Sequence, residues 1–216
     1  MNLLPELNTS VVEGNADRVE ELTRQALDQG SGVKKILDEG LIAAMDVVGE
    51  RFEKKELFIP EMLLAAEAMT RGLDLLRPLF AESGVKPQGT VVIGTVEGDR
   101  HDIGKSLVSM MMGCAGFRMI DLGVDVSPEQ FVKAVKEEGA HLVGMSALLT
   151  TTLPSMKATI EALKEAGLRD KVKTLIGGAP VTQKYADEIG VSGYAPDAAT
   201  GVKKAKVLIQ TLLAGR

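Results

Sequence analysis

The stretch that decides the fold is residues 90–105, TVVIGTVEGDRHDIGK. It begins with the β-branched run Thr90–Thr95, passes through a loop that contains Gly98, and enters a helical pattern over residues 104–116. A short β-branched run, a loop and then a helical period are typical of one strand–helix unit of a parallel sheet. The chain after this stretch repeats the unit.

Further strands are predicted at Phe117–Leu122, His141–Ser146 and Lys171–Ile176, and two more short units and a last helix at about 198–213 follow them. Helices are predicted between them, and Ser127 before Pro128 is a good N-cap for the one that ends at Glu138. This alternation predicts an α/β fold in which residues 90–216 form a doubly wound, flavodoxin-like (Rossmann-like) sheet of five parallel strands. Ligands of such sheets bind at the carboxyl ends of the strands. The loops expected there are 96–104, 123–127, 147–152, 177–182 and 193–198.

Residues 1–84 carry a different pattern. Apolar side chains such as Ile36, Leu41 and Met45 recur at helical spacing, and β-branched runs are absent. This part is predicted to be a four-helix bundle. The polar segment 85–89, which contains Pro87 and Gly89, is predicted to be a linker to the sheet domain.

The composition narrows the function classes. Lys and Arg number 25 against 30 Asp and Glu, and there is no Trp, so neither phosphate-backbone binding nor base stacking is expected. The single cysteine, Cys114, excludes an internal disulfide and a multi-cysteine zinc site. No signal peptide and no run of about 18 apolar residues is visible. We therefore expect a cytoplasmic protein without nucleic-acid or membrane partners.

The loop after the first strand contains Asp99 and His101. A histidine at this spacing can offer one ring nitrogen to a metal and donate the other N–H to the carboxylate. That spacing alone is weak evidence, since a loop histidine is often only solvated. Two further blocks strengthen it: 41 residues separate Gly104 from Ser146-Ala-Leu148, and 28 residues separate Leu148 from Gly177-Gly178.

The three blocks together resemble the Asp-x-His-x-x-Gly, Ser-x-Leu, Gly-Gly signature of a cobalamin-binding module. In that module a protein histidine replaces the cofactor's own base on cobalt. Residues 40–66 are similar to the helical cap that precedes the module in cobalamin-dependent methionine synthase. The chain as a whole resembles the corrinoid proteins of methylotrophic methyltransferase systems, which serve methylamine, methanol, methoxylated-aromatic or betaine methyltransferases.

The resemblance implies a role for each matching residue. His101 is the expected lower axial cobalt ligand, Asp99 accepts its second N–H, and Thr152 holds the place of a family hydroxyl that extends this hydrogen-bonded chain. Ser146 and Leu148 are expected to line the slot that takes the displaced dimethylbenzimidazole base. Further candidates in or beside the same loops are Arg100, Asp102, Ile103, Thr150, Ala179 and Tyr194.

Three glycines have implied roles of their own. The cofactor's nucleotide tail is expected to pass the start of the helix at Gly104, so this position requires a small residue. Gly177 and Gly178 are expected to let the backbone approach the nucleotide closely. For Gly177 and Gly178 taken alone, without the other two blocks, a plain strand-to-helix turn is the favoured explanation.

Phe52, Ile59 and Met62 match bulky positions of the family's cap, which shields the methyl group on cobalt from water and oxidants. The alternative is that all three belong to an ordinary bundle core, because their spacing is helical. The two readings stay open at this point.

The expected function is methyl carriage. The resemblance implies that cob(I)alamin accepts a methyl group from a substrate-specific methyltransferase and that methylcob(III)alamin passes it to a second methyltransferase, with a thiol coenzyme or tetrahydrofolate as acceptor. A reductive activase is a further possible partner. We expect no catalytic residues beyond the cofactor, so the chain is a subunit of a methyltransferase system.

Two alternatives use the same module. A cobalamin-dependent regulator would usually add a DNA-binding segment and a basic surface, whereas this chain begins with the bundle and is acidic. A small subunit of an adenosylcobalamin mutase would need a different upper pocket, which the cap at 40–66 does not suggest.

Overall fold

The computed structural model describes residues 3–215, except for the side chain of Ala81. It divides into two compact units. One holds the helices up to Lys86 together with Cys114–Gly116, and the other holds Pro87–Gly113 and the chain from Phe117 onward. Within the described residues, no helix has both the length and the apolar character that crossing a membrane requires.

The first unit is entirely helical. Asn15 caps its second helix by accepting the Arg18 N–H at 3.1 Å, and Leu7, Leu22 and Met69 are fully buried. The expected N-terminal helical part is thereby confirmed. Its elements are α1 (Leu4–Val12), α2 (Ala16–Asp28), α3 (Val33–Lys35), a π-helical segment (Ile36–Ile42) that runs directly into α4 (Ala43–Glu53), α5 (Ile59–Leu76), a 3-10 turn (Arg77–Leu79) and α6 (Phe80–Ser83).

The second unit is the predicted five-stranded sheet, with every pair of neighbouring strands parallel. The strand order is β2-β1-β3-β4-β5, the flavodoxin-like order. The α/β fold class is therefore confirmed. Its elements are β1 (Thr90–Thr95), α7 (Ile103–Cys114), β2 (Arg118–Asp121), α8 (Pro128–Glu138), β3 (Leu142–Ser146), a 3-10 turn (Thr150–Thr152), α9 (Leu153–Glu165), β4 (Lys173–Gly177), α10 (Gln183–Ile189), β5 (Gly193–Ala195) and α11 (Ala198–Ala214).

The strand β1 is the buried centre of this sheet. All six of its residues are buried, as expected for a strand with parallel neighbours on both sides and helices over both faces. Phe131 of α8 and Met156 of α9 are fully buried in the core that covers one face. The helix α8 begins at the predicted cap, since the Ser127 hydroxyl accepts the Gln130 N–H at 3.4 Å and the Gln130 side chain accepts the Ser127 N–H at 2.8 Å.

The register of the strands brings the three sequence blocks together. Thr95, the last residue of β1, pairs with Ser146 at the end of β3, and Ser146 pairs with Gly177 at the end of β4. The loops that follow these three strands therefore leave the sheet side by side. The switch point lies between β1 and β3, because the connection from β1 runs to β2 on one side and the connection from β3 runs to β4 on the other. Ligands of such sheets bind there.

Several element ends differ from the sequence prediction by one or two residues, and two differences have a clear structural basis. The strand β4 begins at Lys173 and not at Lys171, because Lys171 and Val172 donate their N–H groups to the Leu168 carbonyl in a turn. Tyr194 was expected in a loop but lies in β5, where it pairs with Ile176 and packs against the core.

The buried Thr23 hydroxyl in α2 gives a stability prediction. Among the described residues, the Thr23 hydroxyl is the one buried side-chain polar atom without a hydrogen-bond partner. The equally buried Thr159 hydroxyl, in contrast, donates to the Ser155 carbonyl at 2.8 Å. Thr23→Val should raise the free energy of unfolding by about 1 kcal/mol, because an unpaired buried hydroxyl is costly. Thr159→Val, the matched control, should lower it. Urea unfolding measures both, and a loss of stability in Thr23→Val would contradict the prediction.

Candidate functional site

The centre of the site is the fully buried carboxylate of Asp99, in the loop after β1. Its Oδ2 accepts the backbone N–H groups of Leu148 at 2.7 Å and Leu149 at 3.1 Å, and the Thr152 hydroxyl at 3.0 Å. Its Oδ1 accepts the backbone N–H of His101 at 3.1 Å. One side chain thereby ties the loop after β1 to the loop after β3.

The His101 ring is oriented by the same carboxylate. Its Nδ1 lies 2.7 Å from Asp99 Oδ1. Burial by itself would raise the pKa of Asp99, but the Leu148 N–H, the two His101 donors and Thr152 together hold that pKa well below its ordinary value. Because an ionised carboxylate can only accept, Nδ1 must carry the proton. The lone pair of a neutral imidazole then lies on Nε2, and the His101 side chain is 53% exposed.

The end of β1 and the segment after β2 also contact the turn that holds His101, on the side of β1 opposite to β3. The Thr95 hydroxyl donates to the His101 carbonyl at 2.8 Å, and the Thr95 N–H donates to the Gly123 carbonyl at 3.0 Å. The buried ammonium of Lys105, in the first turn of α7, lies 2.5 Å from Asp121 Oδ2 at the end of β2. The backbone of His101 is thus held on both sides of the switch point.

The other sequence-predicted residues of β3 and its loop lie beside this network. Ser146 is the half-buried last residue of β3, Leu148 is 45% exposed, and Thr150 is exposed. Thr152 is buried and donates to Asp99, as the resemblance implied, and its hydroxyl also lies 2.9 Å from the Leu149 carbonyl. Arg100, Asp102 and Ile103 are exposed around His101.

The glycines of the signature differ in what surrounds them. A Cβ on Gly178, whose φ is +124°, would lie 1.9 Å from the Ala147 carbonyl oxygen, and one on Gly177 would lie 2.9 Å from that of Ala195. These two positions therefore need glycine because the chain's own backbone is close. A Cβ on Gly104 would meet nothing within 4 Å, so the space beside the start of α7 is open. Ala179, next in the loop, is exposed.

The cap candidates in the helical unit are not equivalent. Ile59 is exposed, Phe52 is half-buried and Met62 is fully buried. Met62 therefore matches the bundle-core alternative, while Ile59 presents an apolar side chain to solvent. Phe58, directly before α5, is also exposed, and the sequence pattern does not single it out because it lies just outside the helical period.

Three other contributors were also missed. Leu149 donates to Asp99 through its backbone, Thr95 holds the His101 carbonyl, and Asp125 accepts the Gly98 N–H at 2.8 Å. No side-chain signal could reveal a backbone donor such as Leu149. The place of Thr95 at the end of β1, next to the motif, was the one available hint.

The comparisons with known proteins agree with this geometry. Residues 89–203 match a protein family described as a B12 binding domain, and residues 3–77 match a second family of the same description. The dimethylamine corrinoid protein of Methanosarcina barkeri is 47% identical over 209 residues, which are 96% of this chain and 97% of that protein.

The chain belongs to the corrinoid proteins. Two solved structures of similar proteins cover nearly all of it. One is a cobalamin-binding protein from Desulfitobacterium hafniense (32% identity, TM-score 0.81, 95% of this chain and 98% of that one). The other is a chain of the methanol:cobalamin methyltransferase complex of Methanosarcina barkeri (31% identity, TM-score 0.84, 99% of this chain and 83% of that one). The family establishes cobalamin as the cofactor of this corrinoid protein.

The residues present fit that cofactor. A single outward-facing imidazole nitrogen suits a metal that brings its other ligands in a macrocycle, and a hydrogen-bonded carboxylate is the usual second partner of a metal-bound histidine. The open space beside Gly104 lies at the start of α7, three residues after His101. Ile103 at the same helix start, Val124 in the loop after β2 and Leu148 in the loop after β3 have exposed apolar side chains that offer contacts to a ligand.

The Asp99 network predicts acid sensitivity. A carboxylate with a depressed pKa stabilises the fold fully above its unfolded-state pKa, about 3.9, and that contribution is lost as the pH falls toward its folded-state pKa. We expect Asp99→Asn to be less stable than wild type at pH 7, because its amide group would face backbone donors.

The difference in unfolding free energy between the two proteins should shrink as the pH falls below 4. Urea unfolding at pH 7, 5 and 3.5 measures it. A difference that stays constant over this range would show that the charge of Asp99 is not what stabilises the loop.

Proposed function

We propose that this corrinoid protein is a methyl carrier, in which His101 Nε2 is the lower axial ligand of cobalt. The observation that carries the proposal is the pairing of His101 with the buried Asp99 at the switch point of the sheet. When bound, the cofactor supplies a cobalt centre that takes up a methyl group from one partner and releases it to another.

The residues around this pair would hold the rest of the cofactor. Ser146 and Leu148 would line the slot for the displaced base, and Gly104 would leave room for the tail. Gly177 and Gly178 would act indirectly. The Ala195 and Ala147 carbonyl oxygens lie too close to these two positions for a side chain, so the glycines allow the loops to pack together. Arg100, Asp102, Ile103, Thr150 and Ala179 remain candidates for peripheral contacts, while Tyr194 is better suited to supporting the sheet.

His101 and Asp99 would also fix the position of one proton, the one on His101 Nδ1. While Nε2 is bound to the metal, Nδ1 keeps its proton and donates it to Asp99. The Asp99 carboxylate, 2.7 Å from Nδ1, would hold the ring in this tautomer, and the 53% exposed side chain leaves Nε2 accessible to the cofactor. Thr152 would keep the second carboxylate oxygen occupied throughout.

Apolar side chains of the helical unit would shield the cobalt-bound methyl group, as the family resemblance implies. Ile59 and Phe52 are the candidates with accessible apolar surface, and exposed Phe58 joins them. Met62 is fully buried, so it would act indirectly, by stabilising the packing of α5. Such apolar cover would exclude water and oxidants from a reactive cobalt–carbon bond.

The partners proposed are two methyltransferases. The similar chain in the methanol:cobalamin methyltransferase complex and the dimethylamine corrinoid relatives support a substrate-specific methyltransferase that delivers the methyl group. A second methyltransferase, with a thiol coenzyme or tetrahydrofolate as acceptor, would remove it. A reductive activase would restore the cofactor after accidental oxidation.

The experiment loads the full chain with methylcobalamin and removes free cofactor by gel filtration. The loaded protein is then mixed with methanol-, monomethylamine- or dimethylamine-specific methyltransferases and with thiol- or folate-linked ones. We expect one enzyme of each class to exchange the methyl group with the bound cofactor faster than with free methylcobalamin, as visible spectra report. Bound cofactor that no enzyme of either class demethylates or remethylates would contradict methyl carriage.

Gly104→Ala separates cofactor binding from folding in this assay. The new Cβ meets no protein atom within 4 Å, and alanine favours a helix over glycine by up to about 1 kcal/mol. The variant should therefore be at least as stable as wild type but retain less cobalamin after gel filtration. Wild-type retention would show that the tail does not pass Gly104.

A further inference from the structure

Asp125, in the loop between β2 and α8, has a backbone conformation that is unusual for its residue type. Its φ is +57°, and Lys55 is the one other non-glycine residue of the described chain with a positive φ. A left-handed conformation is unfavourable for a residue with a Cβ, although Asp and Asn tolerate it better than most. Such strain persists where surrounding contacts hold it.

The contacts of Asp125 fall on three consecutive residues. Its Oδ1 accepts the Gly98 N–H at 2.8 Å, its own N–H donates to the Asp99 carbonyl at 2.9 Å, and its Oδ2 lies 3.6 Å from the Arg100 guanidinium. These residues lead directly into His101. The Arg100 pair is exposed and contributes little, so the two hydrogen bonds carry the interaction.

The next residue anchors Asp125 to the sheet. The Val126 N–H donates to the Thr95 carbonyl at 3.0 Å, and Val126 forms a bridge with Val96. Asp125 is therefore attached to the end of β1 itself, and the left-handed turn aims its backbone N–H and its carboxylate at the loop that follows β1.

We propose that Asp125 is a positioning residue for His101, which presets the loop 98–101 for axial ligation before the cofactor arrives. The carboxylate of Asp99 is held by the loop after β3, while Asp125 holds the backbone of the same turn from the loop after β2. The direction of the imidazole is then fixed from both sides of β1. This inference rests on the proposed function, since it assigns Asp125 to the ligation by His101.

The test compares three substitutions in the full chain. Asp125→Gly removes the strain and the side-chain acceptor together. Asp125→Ala removes the acceptor and keeps the strain. Asp125→Asn keeps an acceptor oxygen and tolerates the left-handed conformation. Lys55→Gly, at the other strained position, is the matched control for strain relief alone.

The first readout is made on the cofactor-free protein. Amide NMR should show a shifted and faster-exchanging Gly98 N–H in Asp125→Gly and Asp125→Ala, and a resonance close to wild type in Asp125→Asn. The Nδ1 proton of His101 should broaden in the same two variants. Lys55→Gly should leave both resonances unchanged.

The second readout compares affinity with stability. The dissociation constant for cobalamin should rise about five- to tenfold in Asp125→Gly and Asp125→Ala, the effect of losing about one hydrogen bond. Asp125→Asn should stay within about threefold of wild type. Asp125→Gly should nevertheless keep or raise the thermal midpoint, as Lys55→Gly should, because the strain is relieved. A purely structural role would move affinity and midpoint together.

The proposal is overturned if Asp125→Gly and Asp125→Ala bind cobalamin with wild-type affinity and leave the Gly98 and His101 resonances unchanged. It is also overturned if the affinity falls only in step with the thermal midpoint. Failure of the proposed function would differ from both, since the wild-type protein itself would then bind cobalamin without His101 on cobalt.

Discussion

The buried negative charge of Asp99 is the constraint on which the rest of the site depends. An ionised carboxylate without solvent is costly unless donors surround it. Here the donors come from Leu148, Leu149, Thr152 and His101. Because most of them lie in the loop after β3, folding that loop and charging Asp99 require each other. The tautomer of His101 then follows from the charge, since only a protonated Nδ1 can face a carboxylate.

The sheet supplies the geometry that this charge needs. Thr95, Ser146 and Gly177 lie on one line of paired residues across β1, β3 and β4, so three loops distant in sequence start at neighbouring points. Gly178 keeps the third loop close to the second, because a side chain there would collide with the Ala147 carbonyl. The loop after β2 completes the arrangement through Thr95 and Asp125. A ligand atom at His101 Nε2 is thus placed by backbone contacts on both sides of β1.

The sequence predicted the fold class and the central pair because both follow from local rules and spacing. Alternation of strands and helices implies parallel pairing, and the three blocks could be recognised before any contact was known. It could not predict Leu149, which acts through a backbone N–H, or the left-handed turn at Asp125, which depends on tertiary contacts. It misplaced Tyr194, because a strand of three residues at the sheet edge leaves little pattern. The sequence could not show that Met62 is buried and Ile59 exposed. Both residues fit the same helical spacing, and their burial depends on how the helices pack.

The central claim is that His101 occupies the lower axial position of cobalt. The chain contains two histidines, His101 and His141, so protein labelled with ¹⁵N-histidine gives a direct measurement by electron paramagnetic resonance of bound cob(II)alamin. Ligation by His101 predicts that the three-line ¹⁴N splitting becomes two-line on labelling, and that this signal is lost in His101→Ala but kept in His141→Gln. A three-line splitting that survives labelling would show that the cofactor's own base stays on cobalt, and it would contradict the account.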